Sequence, residues 1–394
     1  LWWFSPSASH LSQQFSLGAD NAIALRPWIS NADSFLQIVP TASGDVPVLV
    51  PDPRVKPTPL AERAWVTCLW SGSAGYAIDE WLDRAGKGGR ANAAGDAGAG
   101  PRWHLKGGLK AVAGLSTRLS WWLGPWRGAV QVGSWPFSTT LRETLRDTDL
   151  IAVLESVIDC YPDRPIALRH VFEDNSPALL EALARRGFQR LPARVVYTLD
   201  ASQAIKPKAS HLKRDLALLA RSDLTIVPDA EFTPQDLERA LDLYQIIYRQ
   251  RHSLRNPDYS IEFLQWARRR GLIELLGLRS SAGQLCAFAA RHNQGSTTSV
   301  PMLGYDLEAD RRDGLYRQLV AVLVREAGVR QQKFDFSSGA GDFKRKRGFE
   351  PRLELTMLRA PSRWLQRGPG SLALSLACAG TSFLDLDRLI AAGA

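Results

Sequence analysis

The residues best suited to chemistry are concentrated in Phe334-Asp335-Phe336-Ser337-Ser338-Gly339-Ala340-Gly341-Asp342-Phe343-Lys344-Arg345-Lys346-Arg347-Gly348. The stretch reads as a short buried strand, a glycine-rich turn, and a basic helical turn closed by glycine. Glycines let a backbone approach a ligand closely, and the Lys/Arg run supplies positive charge for an anion. Helical spacing puts 344 and 347 on one face and sends 345 and 346 elsewhere, so only part of the run can line a site. The other reading of the run is a solvated charged surface. A second candidate is Arg311-Arg312-Asp313-Gly314-Leu315-Tyr316, between a strand and a helix. Consecutive N–H groups at such a helix start point into one cavity and can bind a pyrophosphate. The tyrosine at its last position narrows that cavity.

These groups have to be positioned by a chain of 394 residues with a formal charge of +9. That length favours two domains, and the charge favours an anionic ligand, a nucleic acid or simply a solvated arginine surface. Cys68, Cys160, Cys286 and Cys378 are far apart and form no CxxC pair. They argue against a disulfide framework and a zinc site and fit a reducing, cytoplasmic setting. Leu1-Trp2-Trp3-Phe4 lacks the features of a signal peptide. No apolar run reaches the roughly 20 residues of a membrane span.

Residues 1–60 are rich in Pro, Ser and Trp and read as an extension packed on the first domain. The first domain spans 61–205 and contains a Gly/Ala-rich loop at 85–101, whose Gly86-Lys87-Gly88-Gly89 lacks the strand and the GK[ST] of a phosphate loop. Trp121, Trp122, Trp126 and Trp135 suggest core packing or an apolar pocket. Strands are expected at Val46–Val50, Ala129–Val132, Pro165–Val171 and Arg194–Leu199, with helices at Leu141–Tyr161 and Ser176–Phe188. A basic helix begins around Lys206, Lys208, His211, Lys213 and Arg214. The second domain spans 206–360. It reads helix (Thr233–Gln250), helix (Ile261–Arg270), three antiparallel strands (Ile273–Leu278, Leu285–Arg291, Thr298–Leu303), helix (Gly314–Val329), strand (Lys333–Phe336), helical turn (Asp342–Arg347) and strand (Arg352–Leu358). A helical tail occupies 361–394.

This order, with Arg311-Arg312-Asp313-Gly314-Leu315-Tyr316 where [RQ]-x-x-G-x-[GA] stands in the acyl-CoA signature, resembles the GNAT acyltransferase fold. Gly339, Phe343-Lys344 and Gly348 resemble the G-x-x-x-[YF]-K-x-x-x-G pattern of its Fem-type branch, which joins two GNAT-like domains in one chain. The resemblance covers about 230–360. The long charged helical arm of some aminoacyl-tRNA-using members is missing there. It implies an α/β fold of two tandem GNAT-like domains, each a mixed, mostly antiparallel sheet flanked by helices.

The resemblance also implies roles. Arg311, Arg312, Gly314, Leu315 and Tyr316 would hold the donor pyrophosphate. Lys344 would face the space between the domains and stabilise an oxyanion or hold a phosphate. Asp306 would be a general base for an attacking amine, or else a turn or helix cap. Tyr305 would donate a proton to a leaving thiol. His252, Arg255, Asn256, Tyr259 and Phe343 would form the substrate side. His170 reads as a core histidine.

The implied reaction is N-acyl transfer from acetyl-CoA or another acyl-CoA to a small or amino-acid-like amine, without a metal. Two other readings stand beside it: an aminoacyl-tRNA-dependent amide former, with tRNA as partner, and a non-catalytic module that kept the fold.

Overall fold

The computed structural model describes residues 22–59, 62–69, 128–172, 177–202 and 210–361. The Gly/Ala-rich loop, Trp121, Trp122, Trp126, Lys206, Lys208 and the expected C-terminal helix lie outside these residues.

The strands are β1 (Ile23–Ala24), β2 (Ser34–Thr41), β3 (Gly44–Pro51), β4 (Val130–Val132), β5 (Ile166–Val171), β6 (Gln189–Asp200), β7 (Thr225–Pro228), β8 (Glu274–Arg279), β9 (Leu285–Gln294), β10 (Thr297–Tyr305), β11 (Lys333–Asp335) and β12 (Glu350–Arg359). The helices are α1 (Asp147–Cys160), α2 (Pro177–Arg185), α3 (Ser210–Leu219), α4 (Pro234–Tyr244), α5 (Ile261–Arg269), α6 (Leu307–Asp313), α7 (Leu315–Val329) and α8 (Gly341–Arg345). A π-helix, Gln245–His252, continues α4. No helix among the described residues is long and apolar enough to cross a membrane.

Among the described residues, all twelve strands join one sheet, in the order β1-β2-β3-β4-β5-β12-β6-β11-β10-β9-β8-β7. The fold is the expected mixed α/β architecture, with helices packed on a largely antiparallel sheet. The halves on either side of residue 205 share this sheet. The last strand, β12, lies between β5 and β6, and β6 lies between β12 and β11. One apolar cluster joins Ile29, Leu36 and Phe137 of the first half to Phe263 and Phe288 of the second. A second cluster builds around α7, with Leu319, Val322 and Phe334.

The second half follows the expected order. β8, β9 and β10 pair antiparallel, and the chain crosses through α7 to β11, which pairs parallel with β10. Local chemistry sets the ends of α4: Thr233 and Asp236 cap each other in a capping box and Pro234 opens the helix. The helix expected over Leu141–Tyr161 begins only at Asp147. Ahead of it the chain is held irregular because Arg142 donates to the carbonyls of Gly133 (3.1 Å) and His170 (2.7 Å).

The feature that matters for function is a fork. β10 and β11 are paired only as far as Ser299 opposite Asp335. β10 runs on to Tyr305, while β11 ends and the chain turns away. After an irregularity at Val300 and Pro301, β10 pairs again with β9 from Met302 to Tyr305 and, among the described residues, has no strand on its other side. α4 packs directly behind this segment: a Cβ on Gly304 would lie 2.6 Å from the carbonyl carbon of Leu243.

Candidate active site

Aromatic side chains line the fork. Tyr305, the last residue of β10, stacks on Tyr316 in the first turn of α7, with ring centroids 5.3 Å apart. Tyr316 in turn lies 6.4 Å from Phe336, just past β11, and 4.8 Å from Phe343 on α8. Its ring therefore bridges the two strands where they part. Tyr248 of the π-helix packs against both apolar clusters and stacks on Tyr244 at 4.9 Å. π-helical turns are rare and concentrate at functional sites. The helical periodicity of 233–250 does not distinguish one from an ordinary α-helix. Tyr305 is half-buried at the fork; burial and nearby Asp310 hold its phenol above its ordinary value, so it stays protonated.

The pyrophosphate cradle differs from the expectation. A short helix, α6, intervenes between β10 and α7. Asp306 caps it, accepting from the amides of Glu308 (3.0 Å) and Ala309 (3.1 Å). The other oxygen of Asp306 pairs with Arg239 at 2.9 Å. Both carboxylate oxygens thus make structural contacts, as the helix-cap reading of Asp306 expects.

Arg311 and Arg312 occupy the last turn of α6, with side chains 74% and 76% exposed, and pair with Glu308 (3.1 Å) and Asp313 (2.9 Å). Gly314 takes the left-handed conformation that lets the chain pass from one helix into the next (φ 67°). Leu315 is core. The amide of Tyr316 donates to Asp310 Oδ1 at 2.8 Å. No sequence pattern singles out Asp310, because the contact depends on how α6 is set against α7.

Lys344 lies inside the fold. It is 2% exposed. Its Nζ donates to the carbonyls of Phe336 (2.6 Å), Ser337 (3.1 Å) and Ser338 (2.9 Å) and lies 4.7 Å from the centre of the Phe336 ring. The turn it fills carries three consecutive-region left-handed residues, Ser337 (φ 56°), Gly339 (φ 78°) and Ala340 (φ 49°). Two of these are not glycine, so the turn is strained. Lys344 holds that turn together and does not face an open cleft. The expected helical facing of the run is otherwise observed: Arg347 is buried, bonded to Asp215 (2.6 Å) and stacked over Phe343, while Lys346 pairs with Asp342 on the exposed side.

The expected substrate-side residues divide. Tyr259 is core: it stacks on Phe263 (4.8 Å) and donates to Pro136 O (2.8 Å). Asn256 organises its loop, donating to Tyr248 O (2.8 Å) and accepting from Trp65 Nε1 (3.1 Å). Arg255 contributes its carbonyl to the Trp65 amide (3.0 Å). His252, at the end of the π-helix, is exposed, and Phe343 is half-buried against Tyr316.

A buried charged network lies beside the fork and was not anticipated. Arg194 of β6 donates to Glu354 of β12 (3.0 Å) and to Ser138 O (2.6 Å), while Ser138 Oγ donates to Pro301 O on β10 (3.1 Å). Glu354 Oε2 also lies 3.2 Å from His170 Nδ1. His170 sits at an irregularity in the β5–β12 register with φ 56°. It is a core histidine, as expected, but neither ring nitrogen has an aligned hydrogen-bond partner. Burial pushes it down to about 4, so it is neutral. Burial pushes Glu354 up, but Arg194 and His170 outweigh that and hold it well below the usual carboxylate range. Along the seam between the halves runs a cleft of about 1310 Å³, bordered by Asp147, Leu179, Val324, Arg325 and Asp335.

The chain was compared with known proteins. The chain is similar to the solved structure of L-PGS from Bacillus licheniformis, with 14% identity, 60% of this chain and 81% of that chain covered, and a TM-score of 0.45. It is similar to FemX, with 11% identity, 56% and 79% covered, and a TM-score of 0.43. It is also similar to a tandem GNAT protein from the clavulanic acid biosynthesis pathway, with 14% identity, 58% and 74% covered, and a TM-score of 0.35. No curated protein matches it. Residues 208–345, which hold the fork, α6, α7 and α8, match the family model described as an acetyltransferase (GNAT) domain. That segment of the chain is similar to a GNAT acetyltransferase domain.

Proposed function

We propose that the chain forms amides by transferring an acyl group from an activated carbonyl donor to an amine, as a member of the Fem-type branch of the GNAT superfamily. The observation that carries this reading is the fork at β10–β11 inside the segment that matches the GNAT model. An unpaired strand edge there can hold an extended donor, and its amides can stabilise an oxyanion. Alignment of amine and carbonyl would supply most of the rate. Tyr305 is the proton donor to the leaving group. The pattern Gly339, Phe343-Lys344, Gly348 supports the branch, with Lys344 as the residue that shapes the turn. The acceptor would lie in the seam between the halves, treated as two GNAT-like units.

Acyl-CoA is the donor a GNAT domain implies. The contact between Asp310 and the Tyr316 amide favours a second reading, in which the donor is an aminoacyl-tRNA ester bound through its backbone phosphates by a chain of charge +9. The readings separate in one experiment. Acetyl-CoA should raise the melting temperature if it binds the folded chain, whereas tRNA binding should weaken steeply as salt rises. Acyl transfer from neither donor to any of a panel of primary amines would count against the function itself.

A further inference from the structure

We propose that Asp310 and Tyr316 set donor specificity, closing the helix-start cradle against any donor anchored there by phosphates. This rests on the acyl-transfer reading for its meaning in the cell, but the closure can be tested without it.

The cradle would need the N–H groups at the start of α7. Two of the four are already engaged: the Gly314 amide donates to Asp310 O (2.9 Å) and the Tyr316 amide to Asp310 Oδ1 (2.8 Å). A single residue of α6 thus takes both, one with its backbone and one with a carboxylate. Replacing that carboxylate by a phosphate means breaking a charge-assisted bond and bringing two anions together. The nearby cations are already engaged: Arg311 and Arg312 point to solvent and are paired with Glu308 and Asp313, and Arg317, beside Gly314, is paired with Asp215 (2.7 Å).

The second barrier is steric. The donor arm of a nucleotide-anchored thioester would run from the cradle into the fork. The Tyr316 ring stands at that junction, stacked on Tyr305 (5.3 Å) and within 6.4 Å of Phe336. The signature carries Gly or Ala at this position, and tyrosine fills the space they leave.

The test is calorimetric titration with coenzyme A, and separately with inorganic pyrophosphate, into the full chain. The wild type is expected to show no saturable binding up to about 1 mM. Asp310→Ala with Tyr316→Ala is expected to bind coenzyme A at least about tenfold more tightly. Tyr316 is packed in an aromatic cluster, so Asp310→Asn serves as the variant that cannot cavitate the core; it should by itself raise affinity for both probes several-fold. Tight wild-type binding abolished by Arg311→Ala would overturn the proposal, as would Asp310 variants that fold normally and gain nothing. If the variants gain coenzyme A binding but no donor supports transfer, the closure stands and the acyl-transfer reading fails. If transfer occurs from a CoA thioester in the wild type, the function stands and the closure fails.

Discussion

Lys344 Nζ donates to the carbonyl of Phe336 at 2.6 Å, and two further carbonyls of the same turn complete its shell. The most basic segment of the chain thus uses its central lysine as a covalent-free staple for its own backbone. Lys344→Met removes the ammonium from the Phe336, Ser337 and Ser338 carbonyls, of which Ser337 O still accepts from the Tyr197 amide (3.0 Å), and should destabilise the fold by about 2–4 kcal/mol, read from urea denaturation. Lys344→Arg should not restore it, since a planar guanidinium cannot take the place of a compact ammonium among three converging carbonyls. A Lys344→Met protein of unchanged stability that has lost acyl transfer would return the lysine to the reaction.

The Arg194–Glu354 pair is buried on both sides, with both side chains 3% exposed or less. Glu354→Gln should cost about 3–5 kcal/mol, because it removes the carboxylate that balances the buried Arg194 charge. Arg194 also anchors Ser138, which reaches Pro301 at the fork, so local amide exchange at 300–305 should rise in the same variant.

Asp335 lines the seam, and burial raises its carboxyl from 3.8 to about 6. The folded state therefore holds a proton that the unfolded chain has released. The stabilisation from that proton is complete below about pH 4 and is lost as pH rises through 6, amounting to roughly 3 kcal/mol. Asp335→Asn should raise the melting temperature at pH 7–8. His170 works in the opposite direction: its value falls to about 4, so its contribution is present above pH 6.5 and is lost on acidification. The wild type should consequently be flatter between pH 4 and 6 than Asp335→Asn, which retains only the histidine branch. Thermal melts of both proteins across that range check the sign.

Gly304 is the point where β10 touches α4. A methyl group there would meet the backbone of Leu243 and Tyr244 at 2.6–2.7 Å. Backbone cannot swing aside as a side chain can, so Gly304→Ala should lower stability by about 1–3 kcal/mol and misplace Tyr305, one residue on. Differential scanning calorimetry reads the first effect and the near-ultraviolet signal of the tyrosine stack the second.

The strands and helices of 230–360 were legible because apolar spacing there is regular and the caps are explicit, as with Thr233-Pro234 and Asp236. The family signal in Arg311–Gly314 and in Gly339, Phe343-Lys344 and Gly348 was equally visible. Side-chain duty was not. Lys344 and Arg347 read as ligand-facing charge, but the turn at 336–340 folds back over the lysine and Asp215, 132 residues earlier, captures the arginine. Asp306 had two readings, and only the observed α6 selects the cap. The sharing of one sheet by both halves depends on β12 inserting beside β5, a long-range pairing that local pattern does not encode.

The central claim is acyl transfer from a donor that does not use the helix-start cradle. Its most direct test is a parallel titration of the wild-type chain with acetyl-CoA and with aminoacyl-tRNA at several salt concentrations. The account predicts no stabilisation by acetyl-CoA and tRNA binding whose logarithm falls linearly with the logarithm of salt concentration. Saturable acetyl-CoA binding that Arg311→Ala abolishes, with no salt-dependent tRNA binding, would contradict it.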